Sequence, residues 1–529
     1  MFKIINTTGL NKGIVGLLHI LLLLSSSILA NYYFGSIGVW PIDTFAFFDS
    51  ANFINKGFLP VRDYWTSNGF LVDFIQSVFF KVLGVNWSVY LLQSSIINFL
   101  FTYFTYKFLK NEGLNSNSSL FYSFFVSILA YPSIGAPFPD HHSLLLSIIG
   151  IYLLIFAIKN NRFIIWFSIP FILVLAFLCK QTPSAFFIII ISIYLFCFSI
   201  YKKDYYLFIP IILSSIITIL IFVFFLFLNE INFQDFLIQY IFFPLTIGSE
   251  RAESLSFYSF FYKLITELKF FLIAVLILII QIIKDFNLNN KKFQSIFDSN
   301  FIFLLVVIVV IINQNLIKNQ NIIFFLLPIL FGLIQVKINK IHKFRNTLIF
   351  LVILLNIFIS VKYHYRFNVD RKFIELENVD KSLSINSSAI SSRLKGLKWI
   401  TISSSNEIKN EAQLLKDSIN FLQNNKDESL IISYYQFILT DIDHSFYPPN
   451  RWHTDDGVSY PLKTNKFYPL YKSFYKEKLA KYKIKKIFTL YPLNENDFNF
   501  VLDKDCIKTT KINKLLLKHD LLKCFENEQ

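Results

Sequence analysis

Apolar runs close to twenty residues long recur through the first two thirds of this chain. Each is long enough to cross a hydrocarbon core of roughly 30 Å as a helix. In lipid the backbone finds no water to bond, so such runs are restricted to helix. The candidate spans are 13–32, 86–107, 118–134, 142–158, 163–180, 184–201, 206–228, 266–284, 300–316, 321–337 and 345–362, about eleven in all. Composition agrees: 54% of residues are hydrophobic and the mean hydropathy is +0.51, against about 45–50% apolar in soluble domains. The first run lacks a small-residue cleavage site and reads as a retained helix, not a signal peptide. Phe70–Leu83 is interrupted by Asp73 and Lys81 and reads as an amphipathic helix along the interface.

Loop charges set the orientation. With the N-terminus inside, the inside loops carry Lys107 and Lys110, Lys159 and Arg162, Lys202 and Lys203, Lys284 with Lys291 and Lys292, and Lys337 through Arg345. The outside turn Ser133–His141 carries no cation. This alternation follows the positive-inside rule and accounts for much of the net charge of +15. No Arg-rich helix or nucleic-acid module is present, so nucleic acid is not an expected partner.

Residues 1–362 therefore read as a transmembrane domain with long external segments at 33–86 and 229–266. Residues 363–529 read as a small extracytoplasmic α/β domain. Its strand-like runs are Lys398–Ser403, Leu430–Phe437 and Lys485–Tyr491, and its helical patterns are Glu407–Asn424 and Tyr468–Tyr482. Cys179 and Cys197 fall in apolar runs and read as packing residues. Cys506 and Cys524 lie in the external tail, where pairing is chemically allowed.

The first acidic residue of the chain, Asp43, follows directly on the first apolar run. The segment continues through Asp49, Ala51, Gly57, Pro60, Arg62, Asp63, Tyr64 and Trp65. Asp43, Ala51, Gly57, Pro60 and Asp63 resemble the first external loop of the GT-C glycosyltransferases, multi-spanning enzymes that use polyprenyl-phosphate sugars. Related branches include the protein O-mannosyltransferases and the aminoarabinose transferase of lipid A. Those branches often carry an Asp-Glu pair, whereas here Asp43 is followed by Thr44. The resemblance implies a GT-C-like fold and a polyprenyl-phosphate-linked sugar donor. It also implies an inverting transfer to an extracytoplasmic glycan, lipid or protein, with membrane lipids as surroundings.

The chemistry can be read from residue types alone. Sugar transfer from a lipid phosphate needs a base for the acceptor and cations for the departing phosphate. Asp43 is the candidate base, and a helix cap is its bland alternative. Asp140, in Pro137-Phe-Pro-Asp-His-His142, reads as an assistant to that base, as a sugar or acceptor contact, as a cap, or as a metal ligand with His141. Neighbouring side chains on a helix diverge, so this is no metal motif. The residues name no definite cofactor, and a divalent cation stays open. Arg62 and His141 are candidates for substrate contact, Asp63 reads either as a contact to sugar hydroxyls or as a residue that orients the loop, and Asp49 reads as a solvated helix face. Lys180 suits a lipid phosphate but also suits snorkelling. Arg251 suits phosphate or a surface pair with Glu250 or Glu253. The run Pro448–Gly457 reads as a surface loop with aromatic residues able to stack on sugar.

The rival reading is a transporter or flippase of lipid-linked glycans. Transporters concentrate charge near the bilayer midplane, whereas here the polar clusters lie at span ends. A plain membrane anchor needs far fewer spans.

Overall fold

The structure is a computed structural model that describes residues 12–131, 134–253, 256–288, 298–317, 323–340, 343–402, 407–442, 446–454, 456–491, 501–502 and 506–522. It opens with α1 (Lys12–Gly35), which carries no Asp, Glu, Lys or Arg beyond Lys12. The segment read as the first external one, which follows α1, then folds into α2 (Pro41–Thr44), α3 (Phe48–Asn55) and α4 (Phe70–Leu83). Next come α5 (Trp87–Asn111), α6 (Ser116–Leu129), α7 (Pro139–Asn160), α8 (Phe163–Cys179), α9 (Gln181–Lys202) and α10 (Phe208–Leu228). The segment read as the second external one, which follows α10, holds α11 (Phe233–Leu237), a π-turn, α12 (Phe243–Glu253) and α13 (Phe257–Thr266). The membrane part closes with α14 (Lys269–Leu288), α15 (Ser299–Leu316), α16 (Leu326–Ile338) and α17 (Arg345–His364). Caps sit where polar residues precede apolar runs: the Asn86 and Asn115 side chains accept from Val89 N (3.0 Å) and Ser118 N (2.8 Å).

A helix thus lies on every expected span. Among the described residues, six helices are long and apolar enough to cross a membrane unaided: Gly13–Gly35, Pro139–Asn160, Gln181–Lys202, Phe208–Leu228, Ser299–Leu316 and Arg345–Ile374. Phe260–Thr266 with Lys269–Lys284, bent by 88°, makes a broken span or a re-entrant loop. The chain is a multi-pass membrane protein. Helix α5 falls short of that measure because it carries an interior polar stripe. Gln93, Ser94, Ser95, Asn98, Thr102 and Thr105 are all buried and bonded within the bundle, as in Asn98 to Ser127 O at 2.7 Å. Cys179 is buried and free, and Cys197, also free, is exposed on α9 instead of packed. Cys506 is disulfide-bonded, and Cys524 lies outside the described residues.

The C-terminal part carries α18 (Ile408–Gln423), α19 (Tyr468–Lys481) and two sheets. A short antiparallel pair joins β1 (Ile385–Asn386) to β2 (Lys398–Trp399). The larger sheet has the order β4-β3-β5-β7-β6, from β3 (Ser429–Ser433), β4 (Phe446–Tyr447), β5 (Lys486–Leu490), β6 (Ile507–Lys511) and β7 (Leu516–Leu521). β3 runs parallel to β4 and β5, and the β6–β7 hairpin adds antiparallel to β5.

This sheet domain is welded to the first external segment. Just past α1, Gly38 N donates to Lys398 O (3.0 Å) and Val39 N to Ile400 O (2.9 Å), extending β2. Phe45 then packs against Trp87, Trp399 and Phe437, at 6.0, 6.0 and 4.8 Å between centroids. One apolar core holds residues of both parts. Asp49 consequently is no solvated helix face: its backbone N–H donates to Gln436 O (2.9 Å) and it is 6% exposed.

Candidate active site

Asp43 sits in a four-residue helix opened by Pro41. It is not a cap. The Trp40 N–H at the cap position donates to Thr44 Oγ1 (2.8 Å), and the Asp43 carboxyl makes no hydrogen bond or ion pair among the described residues. It opens instead into a cavity of ≈ 1000 Å³. Low-dielectric surroundings, with the Asp140 charge behind them, push its pKa up to about 7, against the opposing pull of Lys180 and Arg451.

Asp140 reaches the same cavity from the first turn of α7. Two glycines make this approach workable. A Cβ on Gly135, which sits at φ +88, would stand 2.3 Å from the Cα of Gly35, so the turn before α7 crosses the end of α1 in backbone contact. Asp140 is not a cap either, since the cap position is Phe138. Both its oxygens accept from Lys180 Nζ, at 2.8 and 2.7 Å. Lys180 lies at the break between α8 and α9 in extended backbone. Its neighbour Gln181 donates to Ser67 O (2.9 Å) and Tyr240 O (2.5 Å), stapling both external segments to this break.

Arg251, on α12, lines the cavity and donates to Ile317 O (3.4 Å) at the end of α15. The C-terminal domain closes one side with Arg451, Trp452, Thr454 and Asp456. Arg451 is 4% exposed. Its guanidinium donates to Ala46 O (3.2 Å) and Asn68 Oδ1 (2.6 Å) and lies 4.4 Å over the Phe47 ring. Gly69 makes room for it: at φ +76, a Cβ there would meet Phe47 at 2.5 Å and the guanidinium carbon at 3.4 Å. Much of the remaining wall is apolar, including Phe177, Ala185, Phe186, Ile241, Leu245 and Leu316.

Four sequence candidates, Asp43, Asp140, Lys180 and Arg251, therefore meet in one cavity, and three do not. Arg62 and Asp63 pair with each other (2.7 Å) away from it. Arg62 also donates to Gly57 O (2.7 Å) and Asn229 O (3.0 Å). Asp63 accepts from Leu59 N (2.9 Å) and Tyr482 OH (2.9 Å). They tie the segment that follows α1 to Asn229 at the end of α10 and to Tyr482 at the end of α19. His141 is buried at 2% exposure, edge-on to Phe138, and turned from the cavity because consecutive helix positions diverge.

At TM-score 0.43 and 9% identity, over 96% of this chain and 98% of that one, the fold is similar to the crystal structure of ArnT from Cupriavidus metallidurans bound to undecaprenyl phosphate. No family model and no curated protein matches the chain.

Sequence reasoning gave Arg451 no role of its own and read its run as a surface loop. Asn450, Arg451, His453 and Thr454 of the run Pro448–Gly457 are buried, so that stretch is a seam and not a surface loop: Trp65 N donates to Pro449 O (3.0 Å), and Arg451 N to Trp65 O (2.9 Å). One signal was available. The chain spends 8 arginines against 42 lysines, so an arginine beside an aromatic residue carried more weight than a lysine would. The described residues do not make a divalent-cation site. Among the described residues no three of His, Cys, Asp or Glu cluster, and Lys180 occupies both oxygens of Asp140.

Proposed function

We propose that the chain is a GT-C-like membrane glycosyltransferase. It moves a sugar from a polyprenyl-phosphate donor to an extracytoplasmic glycan, lipid or protein acceptor. One observation carries this reading: an unpaired, half-buried carboxyl with a pKa near neutrality shares a ≈ 1000 Å³ cavity with Lys180, Arg251 and Arg451. The apolar wall suits a lipid tail, and the polar end suits a phosphate and a sugar.

In the step proposed, the acceptor oxygen attacks the anomeric carbon as the bond from that carbon to the phosphate oxygen breaks. Asp43 takes the acceptor proton. The bonding pair leaves with polyprenyl phosphate, and Lys180 and Arg251 stabilise its added charge. Asp140 holds Lys180 in place. The configuration inverts because a single displacement occurs. The charge alternation supports a bacterial inner-membrane location, with the N-terminus cytoplasmic and the C-terminal domain periplasmic.

The test is Asp43→Asn in proteoliposomes supplied with labelled polyprenyl-phosphate sugar. Transfer is expected to fall by about 10²–10⁴-fold with donor binding intact. Parent-level transfer would remove Asp43 from the mechanism, and transport of intact donor without transfer would favour a flippase.

A further inference from the structure

Adjacent residues of the C-terminal domain hold the backbone on both sides of Asp43. Trp452 Nε1 donates to Ile42 O at 2.8 Å, and Arg451 donates to Ala46 O at 3.2 Å. Ile42 precedes Asp43 in the chain, and Ala46 follows it by three positions. The helix that carries Asp43 is four residues long. A helix so short has no stability of its own, because its nucleation cost is not repaid. Its geometry must come from outside.

The donors themselves are firmly placed. Arg451 O accepts from Gln436 Nε2 (2.6 Å), and Arg451 N donates to Trp65 O (2.9 Å). The guanidinium is further fixed by Asn68 and by the Phe47 ring. Its Nε, buried and without a hydrogen-bond partner among the described residues, faces the same seam. A buried guanidinium with an unmet donor is costly, so packing alone gives no reason for an arginine here.

From this geometry we infer that Trp452 and Arg451 are positioning residues that clamp the base-bearing turn, so that the C-terminal domain sets the aim of Asp43. This rests on the glycosyltransferase reading above. The electrostatics support it. The charged groups that face Asp43 are Asp140 from α7, Lys180 from the α8–α9 break, and Arg451 and Asp456 from the clamp loop. Arg451 favours the ionised base and Asp456 disfavours it. The clamp thus bears on both the position and the proton affinity of the carboxyl.

The experiment uses the full chain in proteoliposomes with labelled polyprenyl-phosphate sugar. Trp452→Phe keeps the ring and removes the donor. Its kcat is expected to fall about 10- to 100-fold, as sub-ångström to ångström misplacement of a catalytic group does, with KM for the donor and the melting temperature unchanged. Arg451→Gln is expected to move the acid limb of kcat to higher pH, and Arg451→Lys to restore the limb while kcat stays low. Parent kcat in Trp452→Phe with an unmoved limb in Arg451→Gln overturns the inference. So do rate losses that merely track the loss of folded protein. Where Arg451→Gln does not fold, the kcat-against-KM split of Trp452→Phe decides alone. Asp43→Asn runs alongside: full activity there locates the failure in the proposed function and not in the clamp.

Discussion

Asp43 and Asp63 lie on one external segment and meet opposite fates. Asp63 is saturated: Arg62, Leu59 N and Tyr482 all donate to it, and these bonds outweigh its burial and hold its pKa below the usual carboxylate value. Asp43 has no donor among the described residues, opens into the cavity, and is pushed up to about 7. A carboxylate satisfied on every side stabilises a fold but has no lone pair free for a substrate. One left unsatisfied costs stability and stays reactive. Of the two, Asp43 is the residue built for chemistry.

That contrast can be broken experimentally. The largest expected effect is on Asp43→Asn, where transfer falls about 10²–10⁴-fold while thermal stability in detergent at pH 8 holds or rises, since a disfavoured charge has gone. Asp63→Asn should do the reverse. It weakens several charge-assisted bonds and should lower stability by about 2–3 kcal/mol, read as a lower melting temperature, with transfer within about threefold of the parent. An Asp63→Asn enzyme that is stable and inactive would invert the assignment.

The pH dependence of stability sharpens the point, because the two residues carry opposite signs. The Asp43 folded pKa is raised above its unfolded value of 3.8. Its contribution is fully present below that value and is lost as pH rises through about 7. Asp63 is depressed, so its contribution is present above 3.8 and lost as pH falls through its folded value. Melting temperatures of Asp43→Asn should therefore converge with the parent in mild acid, and those of Asp63→Asn should converge only in stronger acid. The smallest effect belongs to Lys481→Ala. Lys481 reaches Asp63 at 3.4 Å, but its side chain is 50% exposed, and a pair so open is worth about 0.5 kcal/mol or less.

Hydropathy and loop charge made the membrane part legible. Each apolar run is helical, and the cavity residues of α7, α8, α9 and α15 all lie at the helix ends that the charge alternation assigns to one side. Asp43, Asp140, Lys180 and Arg251 were legible for the same reason, since polar groups at span ends on one side have few places to go. What could not be read was which polar residues would meet each other. Arg62 and Asp63 looked available because their partners, Asn229 and Tyr482, are distant in sequence. His141 looked equivalent to Asp140 because spacing along a helix does not show which face opens on a void. The seam around Arg451 was hidden because β-bridging of Trp65 to Asn450 is a long-range pairing with no local pattern. The β6–β7 hairpin, rich in lysine and threonine, lacks the apolar alternation that betrays a half-buried strand.

The most direct test is the pH profile of single-turnover sugar transfer by the full chain in proteoliposomes, at saturating donor and acceptor. An Asp43 base in the surroundings described gives a rate that rises with pH and levels off with a midpoint near 7, and Asp43→Asn abolishes both rate and limb. A parent profile flat from pH 5 to 9, or a limb that survives in Asp43→Asn, would contradict the account.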